Sequence, residues 1–137
     1  MPKVTVHRKA HFNAAHRLYN GDWSDARNAM VFGKCANPHY HGHNYELIVA
    51  VKGEINPETG FVMDMKVLKK LVETEIEVKF DHKNLNEEVE VFKSLNPTAE
   101  NIAIVCYDLI NKVLPGGLEL QITLFETERN SVVYPIR

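Results

Sequence analysis

Cysteine is scarce in this chain of 137 residues, which carries two, Cys35 and Cys106. So sparse a pair makes no disulfide framework, which excludes the stapled secreted scaffolds and points to a reducing, cytoplasmic setting. Long apolar runs are missing as well, and no stretch approaches the roughly 20 residues that a membrane-spanning helix needs. The opening residues "MPKVTVHRKAHFN" alternate in polarity and lack the apolar block of a secretory signal. Charge of one sign is absent: 16 basic and 18 acidic residues leave a formal −2, which excludes a general attraction to nucleic acid or membrane. A local basic pocket is still compatible with that balance. Repeats, low-complexity tracts and linkers do not occur, and the length suits one domain covering residues 1–137.

What is present is period. Residues 3–16 alternate, with Val4, Val6, Ala10, Phe12 and Ala14 on one face and Lys3, Thr5, Lys9 and Asn13 on the other, the pattern of a half-buried strand. A long connection from Leu18 to Tyr40 contains the turn signals "NGDWSD" and "ANP", and connections of that length are often functional. A second strand is expected from Gly42 to Lys52. Two helices follow. The first starts at an Asp64 cap with Leu68, Leu71, Val72 and Ile76 on its stripe; the second starts at a Thr98 cap with Ile102, Val105, Cys106, Leu109 and Val113. Pro115 and two glycines stop that helix, and "LELQITLFE" and "SVVYPI" form the last two strands around a "TERN" turn. The order ββααββ predicts an α+β fold: a four-stranded antiparallel sheet with both helices on one face. Such a sheet has two open edges, which assembly would cover.

The stretch "GKCANPHYHGHNYELIVAV" carries the chemistry. In a strand, residues of equal parity share a face. Tyr45, Leu47, Val49 and Val51 form the apolar set of the second strand, and His41 and His43 prolong it. Their Cα atoms would lie about 6.6 Å apart, a separation that suits two imidazoles reaching one ion. His16 continues the apolar face of the first strand in the same way, whereas His7 and His11 point away. With the two strands antiparallel, all three histidines meet at one end of the sheet, an open zinc site. His39 shares their parity but follows Pro38 in an irregular stretch. An H-x-H pair alone also suits plain turn hydrogen bonding.

The same parity argument takes Glu126 from the face of Leu120, Ile122 and Leu124. A carboxylate there is either partly buried and in need of N–H donors, or a solvated strand end. Cys35 is open to three readings: a fourth zinc ligand, a small buried hydrophobe, or a catalytic thiol. Asp81 and His82, just past the first helix, would orient an imidazole for proton transfer, although adjacent side chains can also diverge. Cys106 lies on an apolar stripe and reads as core.

Taken together, "HFNAAHRL", "GKCANPHYHGHNYEL", "FDHKNLN", "NPTAEN" and "FETERNSVVY" resemble the 6-pyruvoyltetrahydropterin synthase family, in order over nearly the whole chain. The resemblance implies the tunnelling fold, in which ββααββ subunits join their sheets into a trimeric barrel and two trimers stack as a hexamer with active sites between subunits. It implies Zn2+ on His16, His41 and His43, a catalytic Cys35 that is not a ligand, an Asp81–His82 pair, and Glu126 anchoring a pterin. It brings Thr98 and Glu100 to the pocket of a neighbouring subunit. The implied substrate is 7,8-dihydroneopterin triphosphate, and Arg17, Lys34 and Lys83 lie near enough in sequence to contact its phosphates. Five residues separate Cys35 from His41, the longer spacing of the pyruvoyl-forming enzymes. The alternative within the family is a 6-carboxytetrahydropterin synthase of the queuosine pathway; a folate-pathway branch carries glutamate in place of the cysteine. From other classes, a non-catalytic pterin- or purine-binding protein and a zinc hydrolase using Asp81 or Glu126 as base complete the readings.

Overall fold

The computed structural model describes residues 2–136. Strand β1 (Lys3–His16) and strand β2 (His41–Glu54) pair antiparallel along their whole length, with Lys3 opposite Glu54 and His16 opposite His41. Alternation sets this register: Ala10, Phe12 and Ala14 of β1 and Tyr45, Leu47, Val49 and Val51 of β2 are buried, whereas Lys9, His11, Asn13, Asn44 and Glu46 are exposed. Shifting the pair by one residue would turn every buried side chain to water.

The long connection between them is not irregular throughout. It contains helix α1 (Asp25–Phe32), begun by Ser24, whose side chain accepts from the Arg27 N–H, and a 3-10 turn at Gly33–Ala36. Helix α1 was hidden from periodicity because Asn28 is its one buried residue and its other faces meet solvent. Helix α2 (Met65–Val72) begins at the expected Asp64 cap and runs on through a π-helical turn (Glu73–Glu77) into α3 (Val78–Phe80). A two-residue strand β3 (Lys83–Asn84), a single helical turn α4 (Leu85–Glu88) and a 3-10 turn (Glu90–Lys93) lead to helix α5 (Ala99–Val113). Thr98 caps α5 as expected, its hydroxyl accepting from the Asn101 N–H at 3.1 Å. Strand β4 (Glu119–Phe125) pairs with β2, and β5 (Ser131–Tyr134) pairs with β4.

The sheet therefore has five strands in the order β3-β1-β2-β4-β5, and it is mixed, because β3 runs parallel to β1. This corrects the four-stranded antiparallel sheet expected from the sequence. Two residues carry no alternation to read, and β3 exists because His82 donates its N–H to the Asn13 carbonyl at 2.7 Å, drawing the chain onto the edge of β1. The helices do lie on one face. Leu68, Val72, Ile76 and Phe80 on one side and Ile102, Val105, Cys106 and Ile110 on the other close over the buried strand residues. Val113 departs from the expected apolar stripe, being 43% exposed at the last turn of α5. Burial pushes the Cys106 thiol well above its usual range, as expected of a core cysteine.

Phe12 sits at the centre of this core, fully buried and stacked on Tyr45 at 4.9 Å, with Phe80 edge-on at 5.5 Å. Phe12→Ala should lower the unfolding free energy by about 3–5 kcal/mol, read from urea denaturation midpoints. A loss below about 1 kcal/mol would mean that the core collapses onto the vacancy and that Phe12 is not its keystone.

Candidate functional site

The β1–β2 ladder brings three imidazoles to one end of the sheet. His16 ends β1, His41 begins β2 opposite it, and His43 follows two residues on, on the same face. Their ring centroids lie 4.6 Å (His16–His41), 5.1 Å (His16–His43) and 5.0 Å (His41–His43) apart. Each offers one ligand atom, and these atoms all fall within 4.8 Å of one another. Among the described residues this is the one converging group of its kind, and Cys35 is outside it. The trio is the one parity selected.

The donor chemistry fits a metal ion. His16 is 1% exposed and its Nδ1 lies 2.7 Å from the Pro97 carbonyl oxygen, which can only accept, so Nδ1 carries the proton and Nε2 keeps a lone pair. His41 Nδ1 and His43 Nε2 are buried without any hydrogen-bond partner. Two unpartnered ring nitrogens beside a fixed third are costly in a folded protein unless something accepts their lone pairs. Burial foremost, and then the two neighbouring imidazoles, depress His16 to about 4 against the opposing effect of the Pro97 bond. His43 is lowered too, chiefly by burial, with Glu126 opposing and His41 assisting. Neutral imidazoles are the ligating form.

Glu126, one residue beyond β4, hangs over this group. Its Oε1 lies 3.8 Å from His43 Nε2 and its Oε2 4.0 Å from His16 Nε2, and its side chain is 27% exposed. The carboxylate thus belongs to the histidine end of the sheet, which parity, giving only its face, did not say, and it is partly exposed. Tyr45 closes the floor. Its hydroxyl sits 3.3 Å from either nitrogen of His16, and burial raises it far above the usual phenol range, so it stays neutral. Tyr45 read as ordinary core from the sequence, and Pro97 entered only as part of the "NPTAEN" stretch.

Cys35 lies in the 3-10 turn Gly33–Ala36, half-buried, where its carbonyl accepts from the Leu18 N–H at 2.7 Å. Asp81 and His82 do meet each other: His82 Nδ1 lies 3.0 Å from Asp81 Oδ2. Asp81 Oδ1 accepts from the Asn13 N–H at 2.8 Å, and this bond first, then His82, holds the carboxyl below its usual range. His82 adopts φ +61°, is largely exposed, and lines with Asn13, Gly42, His43 and Asn44 a depression where β3 meets the end of β1. Thr98 adjoins Pro97 and so stands beside His16, whereas Glu100 is exposed on the first turn of α5. Lys34 is exposed and Lys83 lines that depression. Arg17 is held inward, donating through Nη2 to the Ala36 carbonyl at 2.8 Å.

A sequence model described as "6-pyruvoyl tetrahydropterin synthase" matches residues 5–136. The chain belongs to this family. Members similar to it include the 6-pyruvoyl tetrahydrobiopterin synthase of Pongo abelii, 47% identical over 132 residues that span 96% of this chain and 91% of that protein. The Homo sapiens protein of the same name is 46% identical over the same shares. The solved structure of Caenorhabditis elegans 6-pyruvoyl tetrahydropterin synthase superposes with a TM-score of 0.93 at 40% identity, covering 100% of this chain and 98% of that one. As a family member the chain is an enzyme, and no helix among its described residues is long and apolar enough to cross a membrane.

In the metal-free protein the depressed His16 makes stability depend on pH. Between about 6.5 and about 4 the unfolded chain takes up a proton on His16 that the folded chain refuses. Stability is therefore intact above pH 6.5 and falls as pH drops toward 4, by up to about 3 kcal/mol from this residue. Urea denaturation at pH 7, 5.5 and 4.5 should show that decline, and His16→Gln should flatten it. An equal slope in both proteins would show that His16 is not the titrating group.

Proposed function

We propose that this chain is a zinc-dependent lyase that converts 7,8-dihydroneopterin triphosphate into 6-pyruvoyltetrahydropterin and inorganic triphosphate. The observation that carries the reading is the convergence of His16, His41 and His43 beneath Glu126 in a member of this family. The reaction needs no outside oxidant. Triphosphate leaves as one side-chain carbinol becomes a ketone, and the second carbinol becomes a ketone by passing two hydrogens to a carbon–nitrogen double bond of the ring. Zn2+ held by the three imidazoles supplies Lewis acidity toward the side-chain oxygens, which makes the adjoining C–H bonds acidic.

The chain's own residues divide the remaining work. Cys35, as thiolate, removes a proton from a side-chain carbon. His82 moves protons with Asp81 holding its Nδ1–H, the role that the 3.0 Å contact supports. Glu126 offers two carboxylate oxygens to the pterin's 2-amino group and ring N–H, a bidentate arrangement that fixes the ring while the side chain reacts. Lys34 and Lys83 are the cations placed to meet phosphate. Asp81 and His82 complete the set around the Cys35 of another copy. The protein accordingly works as a homo-oligomer, a hexamer of two trimers whose joined sheets cover their edges, with Thr98 and Glu100 contributing across a subunit boundary.

Zinc-loaded protein given 7,8-dihydroneopterin triphosphate should release triphosphate and a pyruvoyl pterin, identified by mass. Cys35→Ala should retain zinc and lose turnover by roughly 100-fold or more, and chelation should stop the wild type. Release of acetaldehyde with a 6-carboxy pterin would move the chain to the carboxytetrahydropterin branch with the same site residues. Tight pterin binding without turnover would make it a binding protein. The shared site has its own test. Cys35→Ala and His82→Ala chains, each inactive, should regain about a quarter of wild-type activity when unfolded together and reassembled at equal amounts, as random mixing requires for a two-chain site. No recovery in the mixture would place both residues in one chain's site.

A further inference from the structure

Resting on that reading, we propose that Arg17 is a positioning residue: its guanidinium clamps the 3-10 turn that carries Cys35 to the end of the metal-bearing strand. Arg17 directly follows His16, so its backbone inherits the position of the metal end of β1. Asn86 pins that backbone from both sides, accepting the Arg17 N–H at 2.9 Å and donating Nδ2 to the Arg17 carbonyl at 3.0 Å. From this anchored point two bonds reach the cysteine turn. Arg17 Nη2 donates to the Ala36 carbonyl at 2.8 Å, and the next residue, Leu18, donates its N–H to the Cys35 carbonyl at 2.7 Å. Ala36 is buried.

The guanidinium is itself held. It lies over the Tyr19 ring, 4.1 Å from the centroid, and its Nε is buried without a partner. A planar cation stacked on one face and bonded through one edge has little rotamer freedom left, which suits a part that fixes another part. A charged donor on a neutral carbonyl is also stronger than an ordinary amide bond. Beyond the turn, the chain reaches His41 through Tyr40 at φ +68°, whose hydroxyl is tied to Glu87 Oε1 at 2.8 Å. Helix α1 leads into the turn from the other side through Gly33 at φ +57°. Between these two left-handed joints, no β ladder holds Cys35. The Arg17–Leu18 pair supplies the fixed points instead.

Arg17→Met keeps an unbranched side chain of similar reach and removes the guanidinium, with its donor and its stacking on Tyr19; Arg17→Lys keeps the charge without the planar fork. Zinc content and circular dichroism first establish that each variant folds and holds metal. Hydrogen exchange should then show the Leu18 amide exchanging at least tenfold faster in Arg17→Met, with the Leu47 and Val49 amides of β2 unchanged. In the product assay kcat should fall roughly 10- to 100-fold with KM within about threefold, and tens of millimolar guanidinium should restore part of the rate to Arg17→Met. An unchanged Leu18 amide overturns the clamp, as does a faster amide with unchanged kcat where Cys35→Ala has lost activity. A KM that rises with kcat constant also overturns it and makes Arg17 a substrate contact. Cys35→Ala assayed alongside separates the two claims: full activity there removes the base role of Cys35, while the exchange of Leu18 still decides whether Arg17 holds the turn.

Discussion

The register of β1 against β2 is the constraint on which the rest depends. Pairing His16 with His41 in the last rung of a 14-residue ladder places three imidazoles at one end and Phe12, Tyr45 and Leu47 in the core behind them. The histidine cluster and the core are thus read from one alternation. A slip of β2 by one residue would turn Tyr45 and Leu47 out of the core and carry His41 and His43 to the other face, away from His16. Core packing, which favours the native register by many buried side chains, therefore also protects a ligand set that destabilises the metal-free fold at acid pH.

Around this ladder, helix-side groups tune what the strands deliver. The Pro97 carbonyl comes from the residue just before the Thr98 cap of α5, so starting that helix also sets the tautomer of His16. Glu126 comes from the rung after β4, held above His43 because β4 pairs with β2 in register with Leu124 opposite Leu47. The anionic carboxylate and the neutral imidazoles are thereby built into one opening. That arrangement suits a ligand that must be gripped by polar N–H groups at one end while its other end meets a cation.

Much of this was legible in the sequence because strands report their faces through parity. His16, His41, His43 and Glu126 each continued an apolar set past its end, and each lies where that continuation pointed. Two caps, Asp64 and Thr98, were also readable, since both precede a helix with a clear apolar stripe. What stayed hidden has a common physical origin. Strand β3 is two residues long, α1 buries only Asn28, and the Asp81–His82 pair takes its place from backbone bonds to Asn13, 68 residues away in sequence. Contacts made by main-chain atoms, by short elements and by residues remote in sequence leave no periodic trace.

The proposed active-site groups consequently sit on supports of unequal stiffness. The three histidines stand on a continuous ladder whose next core-facing residues include the fully buried Phe12 and Tyr45. Cys35 stands on a turn between two left-handed joints, tied by single hydrogen bonds to Arg17 and Leu18. Asp81 and His82 stand on a sheet edge with φ +61° at His82, a conformation that a non-glycine residue holds at a cost of about 1 kcal/mol and that the bonds to Asn13 offset. Metal binding wants fixed distances, whereas a base and an acid must each follow a substrate through more than one proton transfer. A rigid ligand set flanked by two locally tethered acid–base elements meets both demands.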